Sequence, residues 1–172
     1  MPDLSVFGKA IANGYPIGAI GGRASLMDYF VHENPAKRVL IAGTYNAHPI
    51  SCAGAIATME KLASADFEQL YAVGEQLETE LITLFEEAGI EVSIARQGSA
   101  FCVYFMDHAP VDWHDIAEHH DFALDERYRR ALIEKGIYHF PLATKQGSIS
   151  FAHSQSDIDE TLSKTRDVLQ SL

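Results

Sequence analysis

The sequence is poor in cysteine and in basic residues, and it lacks a long hydrophobic run. Its two cysteines, Cys52 and Cys102, are too few for a disulfide framework and lack metal-site spacing, so we expect a reducing, cytoplasmic setting. Its 24 acidic residues outnumber 13 Lys and Arg, and the net charge of −11 disfavours nucleic acid and anionic membranes as partners. No apolar run reaches the roughly 20 residues that span a bilayer, and the N-terminus does not resemble a signal peptide.

What the chain does have is apolar content, unevenly distributed. Hydrophobic residues make up 47% of it, which is enough for a core and argues against disorder. Residues 1–65 are rich in Gly and Ala and carry little charge, whereas residues 66–172 are more charged and more regularly periodic. We therefore expect two regions and a fold class between α/β and α+β. The second region is interpreted as βαβ-like mixed structure, a sheet covered by helices.

Hydrophobic periodicity predicts the individual elements. The spacing predicts helices at 25–30, 49–63, 67–88, 125–135 and 157–172, and strands at 4–7, 17–20, 38–41, 90–95, 100–106, 137–140 and 148–152. Residues 107–123 are expected to form a loop with short helical pieces. The helix at 49–63 is apolar nearly all round, which is typical of a buried helix. Ser154 or Ser156 is expected to cap the last helix, with an aspartate at the third position.

Lys9 is the first candidate for chemistry. It follows the first predicted strand, beside Gly8 and ahead of a turn that contains Gly14 and Pro16. A lysine at a strand end, among small residues, can face a cleft and form a Schiff base with an aldehyde cofactor. The alternative is a solvated lysine, which is the common state of this residue type.

Other polar groups give weaker signals. Gly43-Thr44, just before a helix, can present backbone N–H groups and a hydroxyl to a phosphate, or can be an ordinary turn. A group of histidines and aspartates lies at Asp112, His114, Asp115, His119, His120 and Asp121. Its spacing is not that of an established metal motif, so we expect a solvated loop or helix end and no metal. Both cysteines are expected in the core, and His153 is expected to pack or cap a helix.

Three segments together resemble a known family. Residues 2–23, PDLSVFGKAIANGYPIGAIGGR, resemble the lysine segment of the class III, fold-type I pyridoxal-phosphate enzymes. Residues 43–62, GTYNAHPISCAGAIATMEKL, resemble their phosphate segment and the helix after it. Residues 136–162 resemble the C-terminal segment of the glutamate-1-semialdehyde aminomutase branch. The segments occur in the family's order and cover almost the whole chain.

The resemblance implies specific roles. Lys9 would hold pyridoxal 5'-phosphate as a Schiff base and then move a proton between the substrate carbon and the cofactor. Gly43 and Thr44 would bind the cofactor phosphate of a neighbouring subunit, which implies a homodimer with a shared active site. Residues 1–65 would be the end of the large cofactor-binding domain, and residues 66–172 the small C-terminal domain. The partners would be a small-molecule amino donor and a carbonyl acceptor.

The sequence departs from the family pattern in two places. Only eight residues precede Lys9, where the family places its pyridine-nitrogen aspartate, its other phosphate loop and its stacking aromatic. The chain therefore resembles the C-terminal portion of such an enzyme, and we expect that it does not catalyse alone. Lys145 stands where the aminomutase branch carries a glutamate, and a cation there suits a substrate carboxylate. Lys145 is alternatively a solvated loop residue. We therefore expect an aminotransferase, with the aminomutase or a non-catalytic remnant as alternatives.

Overall fold

The computed structural model describes residues 2–172. The chain forms two compact units, Met1–Ala65 and Asp66–Leu172, referred to below as unit 1 and unit 2. Within the described residues, no helix is both long enough and apolar enough to cross a membrane.

Unit 1 begins with an antiparallel hairpin. Strand β1 (Leu4–Gly8) pairs with β2 (Gly18–Gly22), and a 3-10 turn, Lys9–Ala12, follows β1 directly. A short helix α1 (Ala24–Met27) comes next, followed by the 3-10 turns Asp28–Phe30 and Pro35–Lys37 and the long helix α2 (Pro49–Ala63). The two predicted strands at 4–7 and 17–20 are confirmed.

The predicted strand at 38–41 is wrong. In the structure this segment has no strand assignment, and its backbone bonds to 3-10 turns: the N–H of Arg38 donates to the Pro35 carbonyl at 3.2 Å, and that of Val39 to the Tyr29 carbonyl at 2.9 Å. Apolar, β-branched residues favour a strand only when a neighbouring strand is there to pair with them. No other strand of the described part of unit 1 pairs with this segment.

Helix α2 has the predicted bounds but not the predicted burial. Pro49 occupies its first turn, and the ring of His48 accepts from the N–H of Ser51 at 3.5 Å. Ile50 and Ile56 are 57% and 60% exposed, so the interpretation as a buried helix is wrong. The helix packs on one side, against the Lys9–Ala12 turn, and unit 1 is too small to cover the others.

Gly54 allows the close approach of α2 to the preceding chain. A Cβ at this position would lie 2.8 Å from the Tyr15 ring and 3.3 Å from the Ala12 carbonyl oxygen. Because the Ala12 carbonyl belongs to the turn that starts at Lys9, this glycine fixes the helix against the lysine segment. A larger residue would push the two apart.

Unit 2 is a small antiparallel sheet covered by helices. Helix α3 (Phe67–Glu87) leads into β3 (Ser93–Gln97) and β4 (Ala100–Tyr104), and the second half contains α4 (Trp113–His119), α5 (Phe122–Glu134), β5 (Gly147–Ser148) and α6 (Gln155–Leu169). The strand order is β3-β4-β5, and both pairings are antiparallel. The expected mixed α/β to α+β class is therefore confirmed, but the βαβ-like arrangement is not.

Two predicted strands of unit 2 are absent or much shorter. Residues 137–140 are irregular, and the predicted strand at 148–152 is reduced to Gly147–Ser148, paired with Ala100 and Phe101. The chain leaves the sheet soon afterwards: the N–H of Ile149 still donates to the Ser99 carbonyl at 3.0 Å, but residues 151–152 form a turn. The long irregular segment between α5 and β5 contains Lys145.

The core of unit 2 lies between α3, α5, α6 and the sheet. Phe85 is fully buried, and its ring meets Phe105 edge-on at 5.6 Å and Tyr128 at 5.4 Å between centroids. Helix α6 begins with the expected cap: the Ser154 hydroxyl accepts from the Asp157 N–H, and the Asp157 carboxylate accepts from the Ser154 N–H. The other buried core residues include Leu77, Leu81, Leu84, Phe101, Val103, Leu132, Ile149, Ile158, Leu162, Val168 and Leu169.

His139 makes the stability of unit 2 depend on pH. Its ring centroid lies 6.2 Å from those of Phe101 and Tyr128, and burial, together with the Arg129 charge, lowers the pKa of His139 to about 4. Below the ordinary histidine pKa of 6.5, the unfolded chain takes up a proton that the folded unit does not, so stability falls as the pH drops toward 4.

We expect His139→Gln to remove this dependence. Between pH 7 and 4.5, the wild-type free energy of unfolding should fall by roughly 2 to 3 kcal/mol more than that of the variant, since each pKa unit corresponds to about 1.4 kcal/mol. Urea unfolding at a series of pH values measures the difference. The contributions of the other titrating groups cancel in it, because both proteins contain them. Parallel pH profiles for the two proteins would contradict the prediction.

Candidate active site

Lys9 has an unusual backbone conformation. Its φ of 54° lies in the left-handed region, which non-glycine residues rarely adopt. Such a conformation costs on the order of 1–3 kcal/mol, and residues that adopt it are concentrated at functional sites. The side chain is exposed and follows Gly8, whose strand partner is Gly18. The conformation favours the functional interpretation of Lys9 over that of an ordinary strand-end lysine.

Gly43 and Thr44 open a tight turn in front of α2. The N–H of Asn46 donates to the Gly43 carbonyl at 3.1 Å, and its side-chain amide donates to the Ile41 carbonyl at 3.2 Å. A Cβ at Gly43 would come within 2.9 Å of the Asn46 side-chain oxygen, so glycine suits this position. Thr44 is exposed, and the turn ends at the N-terminus of a 15-residue helix. Anions are favoured there by the helix dipole.

Ser51, in the first turn of α2, was missed by sequence reasoning. It is 2% exposed, and its hydroxyl has no hydrogen-bond partner within the described chain. An unpaired buried hydroxyl costs about 1–3 kcal/mol, so it is unusual in a native structure. The signal in the sequence was a serine three residues before a glycine, within a helical stretch, 49–57, whose other residues are apolar or glycine.

Ser51 lines an open cleft of about 480 Å³ in unit 1. The cleft lies between the turn before α2, the first turn of α2 and the start of β2, and its other lining residues are Pro16, Ile17, Gly18, Ile41, Tyr45, Asn46, Ala47, His48 and Cys52. Cys52 is half-buried there, which corrects its expected place in the core, whereas Cys102 is buried as expected.

The structure does not gather all predicted site residues into this cleft. Lys9, Gly43 and Thr44 are absent from its lining, although Gly18, the strand partner of Gly8, and Tyr45, which follows Thr44, are present. Within the described part of unit 1, the Lys9 amine and the Gly43-Thr44 turn therefore lie outside this cleft.

Lys145, in unit 2, has a hydrogen-bonded backbone and a side chain whose ammonium lies over an aromatic ring. Its carbonyl accepts from Arg129 Nη1 at 2.8 Å, and its own ammonium lies 5.5 Å from the centroid of the Phe140 ring. The residue is exposed. A cation held in this way can pair with an anionic group that approaches from solvent.

The loop that carries Lys145 is anchored to a buried ion pair that the sequence analysis did not identify. Asp125 and Arg129, on α5, are 0% and 3% exposed and pair at 2.5 Å. Asp125 also accepts from the Thr144 N–H at 2.7 Å, and Arg129 donates to the Phe140 carbonyl at 3.3 Å. The signal was present: residues 125, 128, 129 and 132 lie on one helical face, and two of them are charged.

His120 completes this network in its neutral form. Its Nδ1 accepts from the Phe105 N–H at 3.0 Å, so its Nε2 carries the proton and faces Asp125 at 3.2 Å. Burial lowers the pKa of His120. Of the expected histidine and aspartate group, His120 is thus a core residue, whereas Asp112 and Asp121 cap α4 and α5. His153 accepts from the Ser150 N–H at 3.0 Å, which is the expected structural role.

The sequence matches a known protein family. The model of the aminotransferase class-III family matches residues 1–169. The glutamate-1-semialdehyde 2,1-aminomutase of Persephonella marina is 35% identical over 172 residues, which cover 99% of this chain and 39% of that protein. The chain thus spans about two fifths of the length of the curated relatives it matches.

Solved structures share the fold. A β-phenylalanine aminotransferase from Variovorax paradoxus superposes with a TM-score of 0.83 at 26% identity, over 98% of this chain and 38% of that one. A glutamate-1-semialdehyde aminomutase from Pseudomonas aeruginosa gives a TM-score of 0.82 over 99% of this chain and 39% of that one. At 22% identity, the second likeness concerns the fold alone.

Proposed function

Because the chain belongs to the class-III aminotransferase family, we propose that it carries the catalytic lysine and one phosphate-binding turn of a pyridoxal-phosphate-dependent aminotransferase. The observation that carries the proposal is Lys9: an exposed amine, directly after β1, with a left-handed backbone, inside the matched region. Bound pyridoxal phosphate would supply an aldehyde that accepts an amino group and a ring that withdraws electrons from the bond to be broken.

Lys9 has two tasks in this proposal. Its amine holds the cofactor while no substrate is present, and after substrate has displaced it, the freed amine acts as a general base beside the substrate carbon. A lysine amine accepts protons only when it is uncharged, which requires a desolvated or cationic surrounding. The rigid hairpin end fixes where the amine reaches, since β1 and β2 are paired up to Gly8 and Gly18.

Gly43, Thr44 and Ser51 would serve the phosphate. The Thr44 hydroxyl is exposed on a turn that precedes the N-terminus of α2, and the Ser51 hydroxyl lacks a partner in the described chain. These groups fit an anion, because hydroxyls and helix N-terminal amides donate to phosphate oxygens. In the family resemblance this segment serves the neighbouring subunit, so we propose that Thr44 binds the cofactor held by a second copy of the chain in a homodimer.

Unit 1 is proposed to be the end of the large cofactor-binding domain, and unit 2 the small C-terminal domain. Among residues 2–65, only Ala12 and Ser51 are buried, whereas Val6 and Phe7 are 78% and 53% exposed. A monomeric soluble protein rarely leaves so much contiguous apolar surface uncovered. The rest of a larger domain would cover it. Unit 2, by contrast, has a core of its own.

The proposed function is tested on the protein that contains this chain, loaded with pyridoxal phosphate. An amino-acid donor should bleach the visible absorption of the bound cofactor and release the corresponding keto acid, and a keto-acid acceptor should restore the absorption. Absence of both changes with every donor tried would contradict the proposal.

The aminomutase is the second candidate, and the curated relatives favour it. Several proteins of this name are 33–37% identical to the chain. An aminomutase moves the amino group within one molecule and needs no separate acceptor. Conversion of glutamate-1-semialdehyde without release of a keto acid would therefore select this candidate over the aminotransferase.

Lys145 is proposed to contact the carboxylate of an amino-acid donor. An exposed ion pair is worth at most about 1 kcal/mol, and a partly desolvated charge-assisted hydrogen bond about 1.5–3 kcal/mol. Lys145→Glu should therefore raise KM for an amino-acid donor about ten-fold or more, because about 1.4 kcal/mol is a factor of ten. KM for an amine donor without a carboxylate should change much less.

Lys135→Glu is the matched control for this measurement. Lys135 is another exposed lysine of unit 2, and its ammonium lies 3.7 Å from the Asp167 carboxylate on α6. The Lys135→Glu variant should leave both KM values near those of the wild type. Equal effects of Lys145→Glu on both donors would show that Lys145 is only a solvated loop residue, and a gain of aminomutase activity would favour the second candidate.

A further inference from the structure

Three side chains of unit 2 converge outside the groups used so far. His108 lies in the loop after β4, and Asp115 and His119 lie one turn apart on α4. One potential ligand atom from each lies within 4.8 Å of the others. The Asp115 Oδ1 atom is 2.9 Å from His108 Nε2 and 3.0 Å from His119 Nδ1, so a single carboxylate oxygen faces two ring nitrogens.

The hydrogen-bonding partners leave His108 Nε2 available as a ligand. Its other nitrogen, Nδ1, lies 2.6 Å from an Asp107 carboxylate oxygen, which can only accept, so Nδ1 carries the proton. In the neutral ring, Nε2 then has a lone pair directed at another acceptor, Asp115 Oδ1. Such an encounter is favourable only if a cation lies between the two atoms, either a proton on the ring or a metal ion.

The surroundings of the cluster are those of a supported metal site. Asp107 orients His108, as a carboxylate behind a metal-bound histidine does. The other Asp115 oxygen, Oδ2, accepts from the Val111 N–H at 2.9 Å, which leaves Oδ1 for an ion. The Asp112 carboxylate caps α4 by accepting from the His114 and Asp115 N–H groups at 2.8 and 3.0 Å, so the helix start is fixed.

We propose that His108, Asp115 and His119 bind one divalent transition-metal ion, with Zn²⁺ the best match. The ligand atoms are His108 Nε2, Asp115 Oδ1 and His119 Nδ1. His119 Nδ1 also lies 3.0 Å from the Asp115 carbonyl oxygen, so it carries a proton in the metal-free chain and releases it when the metal binds. Two imidazoles and one carboxylate suit Zn²⁺, whereas Mg²⁺ and Ca²⁺ prefer oxygen ligands.

Solvent can complete the coordination of the ion. The His108 and His119 side chains are 40% and 46% exposed, and Asp115 is 16% exposed, so the ion has an entry path and room for water. Ligand atoms about 3 Å apart need only a small adjustment to surround an ion at about 2.0–2.2 Å from each. A bound metal would join the 107–111 loop to α4.

The proposal is tested by titrating the full chain with Zn²⁺ against a chromophoric chelator. We expect one tightly bound equivalent, and at least a ten-fold weaker affinity in His119→Ala. Asp107→Asn, which removes the carboxylate behind His108 and no ligand, should weaken binding by about 10–100-fold. His114→Ala is the matched control: this histidine lies on the same helix with 96% of its side chain exposed, and binding should stay as in the wild type.

Spectroscopy provides a second measurement that does not depend on affinity. Co²⁺ in place of Zn²⁺ should give d–d absorption bands with the wild type and His114→Ala, and lose them with His119→Ala. Far-UV circular dichroism checks that the variants are folded. If His119→Ala does not fold, the Asp107→Asn variant still provides the test. The proposal is overturned if no stoichiometric binding is found, or if His114→Ala and His119→Ala weaken binding equally. The first result would show that a proton alone bridges His108 and Asp115.

Discussion

Replacing Lys9 with alanine is expected to abolish turnover of the cofactor-loaded protein while leaving its fold intact. The lysine is exposed at the end of a paired strand, so its side chain contributes little to packing. Proton transfer by a positioned base is worth about 10²–10⁴-fold in rate, and the loss of the group that holds the cofactor adds to this. We therefore expect a fall of at least about 10³-fold in kcat with an amino-acid donor.

Lys37→Ala is the control for the Lys9 prediction. Lys37 is another exposed lysine of unit 1, at the end of a 3-10 turn, and no role is proposed for it. Circular dichroism should be unchanged in both variants, and kcat should fall only in Lys9→Ala. Retention of more than a tenth of wild-type kcat in Lys9→Ala would contradict the assigned role.

Asp125→Ala is expected to destabilise unit 2 by about 3–5 kcal/mol. The substitution leaves the guanidinium of Arg129 buried at 3% exposure without its carboxylate, and it removes the acceptor of the Thr144 N–H and of His120. Domains of this size are typically stable by about 5–15 kcal/mol, so this is a large fraction of the total. Urea unfolding followed by circular dichroism measures it.

Two further variants separate the buried ion pair from surface charge. Glu126→Ala, on the same helix, removes an exposed carboxylate whose distance to Arg130 is 3.8 Å, and it should change stability by about 0.5 kcal/mol or less. The double variant Asp125→Leu/Arg129→Met should be less destabilised than Asp125→Ala, because no buried charge is left unpaired. Equal effects of Asp125→Ala and Glu126→Ala would contradict the account of this network.

The sequence was informative where structure depends on neighbouring residues. The cap of α6 by Ser154 and Asp157 was predictable because both groups lie within one helical turn. The long helices α3 and α5 follow from regular apolar spacing. The strand predicted at 38–41 failed because an apolar run says nothing about whether a partner strand is within reach. The same reason explains the irregular segment at 137–140.

The candidate site residues also divide into those that the sequence indicated and those that it did not. Lys9 and Thr44 are predicted from a resemblance of whole segments, since neither residue stands out by spacing alone. Ser51 and Asp125 were not identified: each lies among apolar residues of its helix, but only the folded chain shows that the side chain is buried. His108 was missed for a third reason. It lies seven residues before Asp115, outside the helix, and only the irregular loop brings its ring to the carboxylate.

Borohydride reduction followed by peptide mapping tests most directly whether Lys9 is the cofactor lysine. The protein that contains this chain is incubated with pyridoxal phosphate, reduced, digested and analysed by mass spectrometry, because reduction fixes the cofactor permanently to the lysine that holds it. We predict one modified peptide, containing Lys9, and none in Lys9→Ala. Modification of a different lysine, or equal modification of many, would contradict the account.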